Sequence, residues 1–444
     1  MLPYQEISRQ QLCHRVPHSR QGQYYTVEFA VPADCDRLEI SYGYETYNPD
    51  AGRGPETSNV VDLGLEDQNG RFLGWSGGAR QQIWVGPDSA TPGYLKCALT
   101  PGVWRILLGA YRIPAAGLEV HYDLRFLRLP ERFWMAGDLH MHSTASDGQH
   151  SRETLIQKAQ ALGLDYIAIS DHNNYSENLQ LPKPSDLTLI PAVEWTHYRG
   201  HMNLFGVPEP FASFVANSDA ERLALLQEAR RRGALISVNH PRDRYCPYLW
   251  DDRQTFDLVE VWNGPMRPSN LAAIEWWRGL LAEGRQVPLA GGSDYHRDRQ
   301  PVRLGQPVTW IQTTSPQPED LLAALRQGHA YISCSLQGPR LSLVCGQAGM
   351  GDLVRRRSGQ VLQVCAEAWQ LKRGQQLQLV TDRGLIAAPH LERPLNSQGK
   401  PAADRAHIKV TADTAWRYIY AQVTCRLAGQ LYVRAISNPL YFAD

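Results

Sequence analysis

The residues of this chain that could do chemistry are histidines and carboxylates placed at or just beyond the ends of apolar runs: Asp138-Leu-His140-Met-His142, Asp147, Asp171-His172, Glu194, His201, His240 and Asp294-Tyr-His296. Such residues, gathered together, form a multinuclear site for divalent cations, because imidazole nitrogen and carboxylate oxygen suit zinc, manganese or iron. His140 and His142 are two apart and face the same side of a strand. Asp294 and His296 repeat that spacing after another strand-like run, Val287-Pro-Leu-Ala-Gly-Gly-Ser293. A lone histidine is ordinarily a hydrogen-bonded structural residue. The whole set resists that explanation, since buried imidazoles and carboxylates are costly unless paired or metallated.

The elements that position these residues follow from periodicity. A strand delivers its last side chains to one rim of a barrel, where several strands ending in ligands converge. After Leu129-Pro130, strand-like and helix-like runs alternate, the sign of βα units around a mainly parallel sheet. Ser151 caps a helix running to Gly163, and Ser218-Asp-Ala-Glu221 is a capping box opening a helix that Gly233 closes. These helices lead into Asp165–Ser170 before Asp171-His172 and Ala234–Asn239 before His240. Leu187–Val193, Leu258–Trp262 and Val308–Gln312 are further strands, and with Phe133–Leu139 and Val287–Ala290 they supply about seven barrel strands. A last helix spans Glu319–Gln327 and leads to Ala330–Ser333.

Outside this region the period is two. Short strands broken by Gly, Pro, Asn and Asp clusters between about residues 20 and 128 predict a β-sandwich. Alternation returns in Leu362–Ala366, Ile419–Cys425 and Leu431–Ile436. The expected organisation is an N-terminal β-sandwich-like domain over 1–130, a barrel over 131–335 and a C-terminal β-rich domain over 336–444.

Composition narrows the function classes. At 444 residues the chain exceeds one ordinary core. Lys+Arg and Asp+Glu balance at 45 each, against a general nucleic-acid or membrane-surface binder. The eight cysteines include no CxxC pair and read as reduced thiols, and no window approaches the length of a membrane span. A cytoplasmic protein is expected. Nothing in the sequence sets an oligomeric state.

The ordered run Gly137-Asp-Leu-His-Met-His-Ser-Thr-Ala-Ser-Asp-Gly148, Ser170-Asp-His-Asn173, Glu194, Gly200-His-Met-Asn203, Asn239-His-Pro241 and Ser293-Asp-Tyr-His296 closely resembles the PHP (polymerase and histidinol phosphatase) superfamily, and within it the CehA/McbA-type metallohydrolases. The resemblance covers roughly residues 131–335 and implies an α/β fold with a distorted (β/α)7 barrel and two or three divalent metal ions (Zn, Mn or Fe). It implies that His140, His142, Glu194 and Asp294 hold a first ion, that Glu194 bridges to a second held by His201 and His240, and that Asp147, His172 and His296 hold a third. His197 competes with His201, which the Gly-His-x-Asn context favours. Asp138 and Asn203 read as orienters of ligands, and Asn239 and Asn263 as strand-end residues able to face the cleft. Cys246 is left out because its spacing does not match.

Such a site implies a hydrolase in which metal-activated hydroxide attacks the substrate, with no nucleophilic Ser or Cys. Arg242 and Arg297 are the candidate cations for positioning an anionic group. The leading expectation is a small-molecule phosphate mono- or diester, since the barrel lacks a basic and aromatic track for a nucleic-acid strand. The first alternative is a carboxyl ester or carbamate on the same site. A second is a non-catalytic carbohydrate- or protein-binding molecule with a retired barrel, against which the complete ligand set stands. An amidohydrolase with a carbamylated lysine is disfavoured because no lysine lies between Lys183 and Lys372.

Overall fold

The computed structural model describes residues 2–48, 50, 58–87, 89–184, 186–251, 255–298, 301–356, 360–386, 391–392 and 404–443. It divides into two compact units, 2–131 and 132–444.

The first unit is made of β1 (Gln5–Val16), β2 (Tyr24–Val31), β3 (Arg37–Tyr44), β4 (Val60–Glu66), β5 (Phe72–Gly77), β6 (Gln82–Val85), β7 (Gly102–Arg112) and β8 (Leu118–Arg128). They form two antiparallel sheets, ordered β1-β8-β3-β6 and β2-β7-β4-β5. The period-two pattern sets which residues turn inward: Val120, Tyr122 and Leu124 of β8 meet Trp104, Ile106 and Leu108 of β7 in one apolar core.

The second unit is α/β, with many strands and few helices. It runs β9 (Phe133–Met141), α1 (Arg152–Leu162), β10 (Tyr166–Ile169), β11 (Thr188–Leu189), β12 (Ala192–His197), β13 (Gly200–Phe205), α2 (Asp219–Arg231), β14 (Leu235–Val238), β15 (Leu258–Asn263), α3 (Pro268–Ala282), β16 (Leu289–Gly292), β17 (Val308–Thr313), α4 (Pro318–Arg326) and β18 (Ala330–Ser333). The caps are where the sequence puts them: the Ser151 hydroxyl accepts the Thr154 N–H, and Ser218 with Glu221 forms the capping box of α2. Helix α3 is not anticipated: its N-cap, Arg267, makes no side-chain cap, and Pro268 in its first turn is the start signal the sequence offered.

The strand pattern differs from a mainly parallel sheet. Strands β9, β10 and β11 are parallel, as are β14, β15 and β16, but β12-β13-β14 and β9-β17-β18 are antiparallel. Only Tyr198 and Arg199 separate β12 from β13, too short a link for a parallel crossover. Pro191 divides the run expected as one strand into β11 and β12, since proline has no N–H to give a ladder.

Two sheets therefore carry the histidines and acids. They meet at bridges between His172 and Glu194 and between Met141 and Tyr295. Backbone bonds clip the same segments together: Asp294 N–H donates to the His140 carbonyl at 2.8 Å and His142 N–H to the Tyr295 carbonyl at 2.9 Å.

The chain continues through β19 (Arg340–Cys345), β20 (Leu353–Arg355), β21 (Gln363–Trp369), β22 (Gln376–Thr381), β23 (Gly384–Leu385), β24 (Leu391–Glu392), β25 (Arg405–Thr411), β26 (Tyr418–Leu427), β27 (Gln430–Ser437) and β28 (Leu440–Ala443). Strand β27 pairs antiparallel with β18, opposing Ile436 to Ile332. The sheet is thus continuous past residue 335. Asn438, fully buried, accepts the Leu289 N–H at 2.8 Å and donates to the Ala330 carbonyl at 3.0 Å. No described helix is long and apolar enough to cross a membrane.

Candidate metal centre

Glu194, inside β12 and fully buried, is the hub of the site. Its Oε1 lies 3.4 Å from His140 Nε2, 3.2 Å from His201 Nδ1 and 3.3 Å from His240 Nε2, and its Oε2 lies 3.6 Å from His142 Nε2 and 2.8 Å from His172 Nδ1. Asp294 Oδ1 stands 3.5 Å from His140 Nε2 and 3.2 Å from His142 Nε2. Asp147 Oδ1 stands 3.6 Å from His172 Nε2 and 3.2 Å from His296 Nε2. All nine residues named from the sequence come together.

Their donor atoms fall into overlapping groups, each within 4.8 Å: His142, Asp147, His172 and His296; His140, His142 and Glu194; His140, His240 and Asp294. Nε2 of His140 and of His142 are buried without a hydrogen-bond partner among the described residues. Carboxylate oxygens at 3.2–3.6 Å from those nitrogens have the spacing of two donors on one ion, whose own bonds are about 2.0–2.2 Å. The residues fit divalent cations.

Charge is balanced inside the cluster. Burial alone would lower His140, yet Glu260, Glu194 and Asp294 outweigh it and hold the imidazole well above its usual range. His240 is likewise raised against burial, by its contacts with Cys246 and Glu194. Burial would raise Glu194 and Asp294, but the neighbouring imidazoles, His140 foremost, keep both well below the usual carboxylate range. For His142 burial dominates and the pKa falls.

Behind the cluster, other groups hold the rings. His140 Nδ1 lies 2.9 Å from Glu260 Oε1, His172 Nδ1 2.6 Å from Thr196 Oγ1, and His296 Nδ1 2.9 Å from the Asp294 carbonyl. Asn239 donates to Glu194 Oε1 at 2.8 Å, and Asn263 donates to Asp294 Oδ2 at 3.3 Å, so both asparagines face the cluster. Asp171 accepts the Ser143 N–H and the hydroxyls of Ser143 and Ser146, fixing the loop that carries Asp147. Asp138 touches backbone rather than ligand side chains: it accepts the N–H groups of His140, Ser293 and Gly305 and, through burial, is raised to about 6. Asn203 donates to the Leu139 carbonyl at 3.3 Å.

The backbone is specialised here as well. His240 and Asp294 have φ of +29° and +55°, conformations that cost about 1–3 kcal/mol each and persist where surroundings enforce them. A Cβ at Gly292 would lie 2.4 Å from the His140 Cβ, so glycine lets β16 approach β9 at His140.

Other candidates lie around this centre. His197 bonds the Ala216 carbonyl at 3.1 Å and stacks on Trp195, outside the cluster. Arg297, next to His296, has a buried Nε with no hydrogen-bond partner among the described residues. Arg242 is exposed and lies over the Trp276 ring at 5.2 Å. Sequence reasoning missed Glu260, although a lone charge in the apolar run Leu258-Val-Glu-Val-Trp262 was a visible signal. Cys246, set aside on spacing, lies with His201 and His240.

Residues 138–226 match the family model described as PHP domain. No protein of curated function matches the chain. Among solved structures, a two-domain protein from Bacteroides vulgatus ATCC 8482, described as containing a PHP-like metal-dependent phosphoesterase, is 16% identical with a TM-score of 0.41, covering 69% of this chain and 96% of its own. A protein of Bifidobacterium adolescentis ATCC 15703 described as a metal-dependent phosphoesterase is 17% identical, TM-score 0.28, covering 38% and 90%. An amidohydrolase from Chromobacterium violaceum is 16% identical, TM-score 0.26, covering 37% and 89%. At such identities these likenesses say nothing of substrate.

Proposed function

Since this chain is a member of the PHP superfamily through its 138–226 domain, we propose that it is a metal-dependent hydrolase of a small-molecule phosphate mono- or diester. The observation that carries this is the buried Glu194 carboxylate with five imidazoles around it, two of them with Nε2 atoms that lack a hydrogen-bond partner among the described residues. His140, His142, Glu194 and Asp294 would hold one ion, Glu194, His201 and His240 a second, and Asp147, His172 and His296 a third. Divalent ions there would acidify a coordinated water and bear charge on the reacting group's oxygens.

The protein's own part is placement. Asn239 and Asn263 orient the Glu194 and Asp294 carboxylates, and Glu260 orients His140. Arg297, with its buried Nε unbonded among the described residues, offers a cation to an anionic substrate. That cation favours phosphorus over a neutral carboxyl ester or carbamate, the alternative electrophiles. Arg242 on its Trp276 platform is the second candidate. The parallel runs β9-β10-β11 and β14-β15-β16, whose sheets join at the His172–Glu194 and Met141–Tyr295 bridges, support the reading of a distorted (β/α)7 barrel.

The test is elemental analysis of the purified protein, followed by assay of the same sample with p-nitrophenyl phosphate, bis-p-nitrophenyl phosphate, an aryl acetate and an aryl carbamate. Bound metal with phosphate turnover is expected. Turnover of the acetate or carbamate alone would move the electrophile to carbon, and a chain that takes up no metal would refute the proposal.

A further inference from the structure

His240 differs from the other imidazoles of the centre in what stands behind it. His140, His172 and His296 turn Nδ1 to an oxygen, of Glu260, Thr196 and the Asp294 carbonyl respectively. His240 turns Nδ1 to a sulfur: Cys246 Sγ lies 3.6 Å away. Its Nε2 is on the cluster side, 3.3 Å from Glu194 Oε1, and the centroid of its ring lies 5.0 Å from that of His201 and 5.9 Å from that of His140.

The segment from 240 to 248 is folded to make this contact. Asp243 N–H donates to the His240 carbonyl at 2.9 Å, Tyr248 N–H donates to the Pro241 carbonyl at 3.0 Å, and Asp243 Oδ1 accepts the N–H groups of Tyr245 and Cys246. The same Oδ1 is 3.5 Å from Cys246 Sγ. With Nε2 reserved for an ion, the remaining polar atoms run in one direction: His240 Nδ1–H donates to Sγ, and the thiol S–H donates to Asp243 Oδ1. Without the sulfur, a neutral His240 could carry its proton on either nitrogen, and the form protonated at Nε2 cannot be a ligand through that atom.

We propose that Cys246 is a positioning residue for His240, fixing the tautomer and ring orientation through a His240–Cys246–Asp243 relay and thereby setting the affinity of the ion that His201 and His240 share. This rests on the metal-centre reading above. A sulfur 3.6 Å from a ring nitrogen is also about the separation expected for two donors on one tetrahedral ion, with bonds of about 2.3 and 2.0 Å. The approach of Nε2 to Glu194 Oε1, the carboxylate at the hub of the cluster, favours the relay.

The experiment uses the full chain loaded with Co(II), comparing the parent with Cys246→Ala and Cys246→Ser. The parent should bind cobalt without a sulfur-to-cobalt charge-transfer band in the near ultraviolet. In Cys246→Ala, chelator competition should show one ion weakened by about 10–100-fold, the cost typical of losing a group behind a ligand. Cys246→Ser, whose hydroxyl can accept from Nδ1 and donate to Asp243, should recover most of that loss. Thermal unfolding of the metal-free proteins should be the same for all three, which separates positioning from a general role in stability. A charge-transfer band in the parent that vanishes in Cys246→Ser would make the thiolate a ligand and overturn the relay. Parent-like affinity in Cys246→Ala would overturn it too while leaving the metal centre standing. Failure of the parent to take up cobalt would overturn both.

Discussion

Glu260 and His140 lie 2.9 Å apart, Oε1 to Nδ1, and the other Glu260 oxygen accepts the His240 backbone N–H at 3.0 Å. One carboxylate on β15 thus ties two donor-bearing segments that are 100 residues apart in sequence, and it is buried where no solvent replaces either bond.

Glu260→Gln should therefore weaken metal binding by about 10–100-fold. A glutamine can keep an oxygen toward His140 only by turning its amide N–H groups against the His240 N–H. Chelator competition on the purified variant measures this, and affinity equal to the parent's would refute the role given to Glu260.

Glu194→Gln and Arg297→Ala should separate binding of metal from binding of substrate. The first removes charge from the carboxylate that five imidazoles surround and should lower the metal content by at least one ion per chain. The second should leave the content unchanged and raise KM for an anionic substrate. Full metal in Glu194→Gln would remove it from the shared position.

Gly292→Ala should damage the centre without touching a donor. The added methyl would lie 2.4 Å from the His140 Cβ and 2.8 Å from its N, so β9 or β16 must shift. Overpacking of this kind costs about 1–3 kcal/mol, readable as a lower unfolding midpoint together with weaker metal binding. An unchanged midpoint and affinity would show that the strands yield freely.

Metal uptake should release protons at neutral pH. In the metal-free protein burial is outweighed at His140 by Glu260, Glu194 and Asp294 and at His240 by Cys246 and Glu194, which raise both imidazoles well above their usual range, so that a metal must displace protons from them. Affinity should accordingly rise with pH up to those raised values. The metal-free fold should behave in the opposite sense: stability from the charged imidazoles is full below their unfolded pKa near 6.5 and is lost as pH rises through the folded values. Calorimetric titration with zinc in buffers of different ionisation enthalpy reads the protons directly, and a buffer-independent heat would contradict the charge state assigned here.

Much of this centre was legible because its donors are residue types that rarely sit at the ends of apolar strands without a reason. Asp138, His140, His142, Asp171, His172 and Glu194 could be picked out from placement alone. What stayed hidden depends on chain reversal and long-range pairing. Cys246 looks misplaced when residues are counted along the chain, and only the turn held by Asp243 returns it to His240. The hairpin of β12 and β13 turns on Tyr198-Arg199, which carries none of the usual turn signals, so His201 was identified without the strand that bears it. Glu260 was readable as a buried charge, but its partners come from segments far away in sequence.

The pairing of β27 with β18 has a consequence for how this protein can be divided. Tyr331–Ser333 is met along one side by β17 and along the other by residues 435–437, so a fragment ending near 335 would uncover a raw strand edge together with the apolar side chains beneath it. Such edges recruit other chains. Residues 435–437 thus cover that edge. Proteolytic nicking near residue 335 should leave the two pieces associated rather than release an independently soluble fragment.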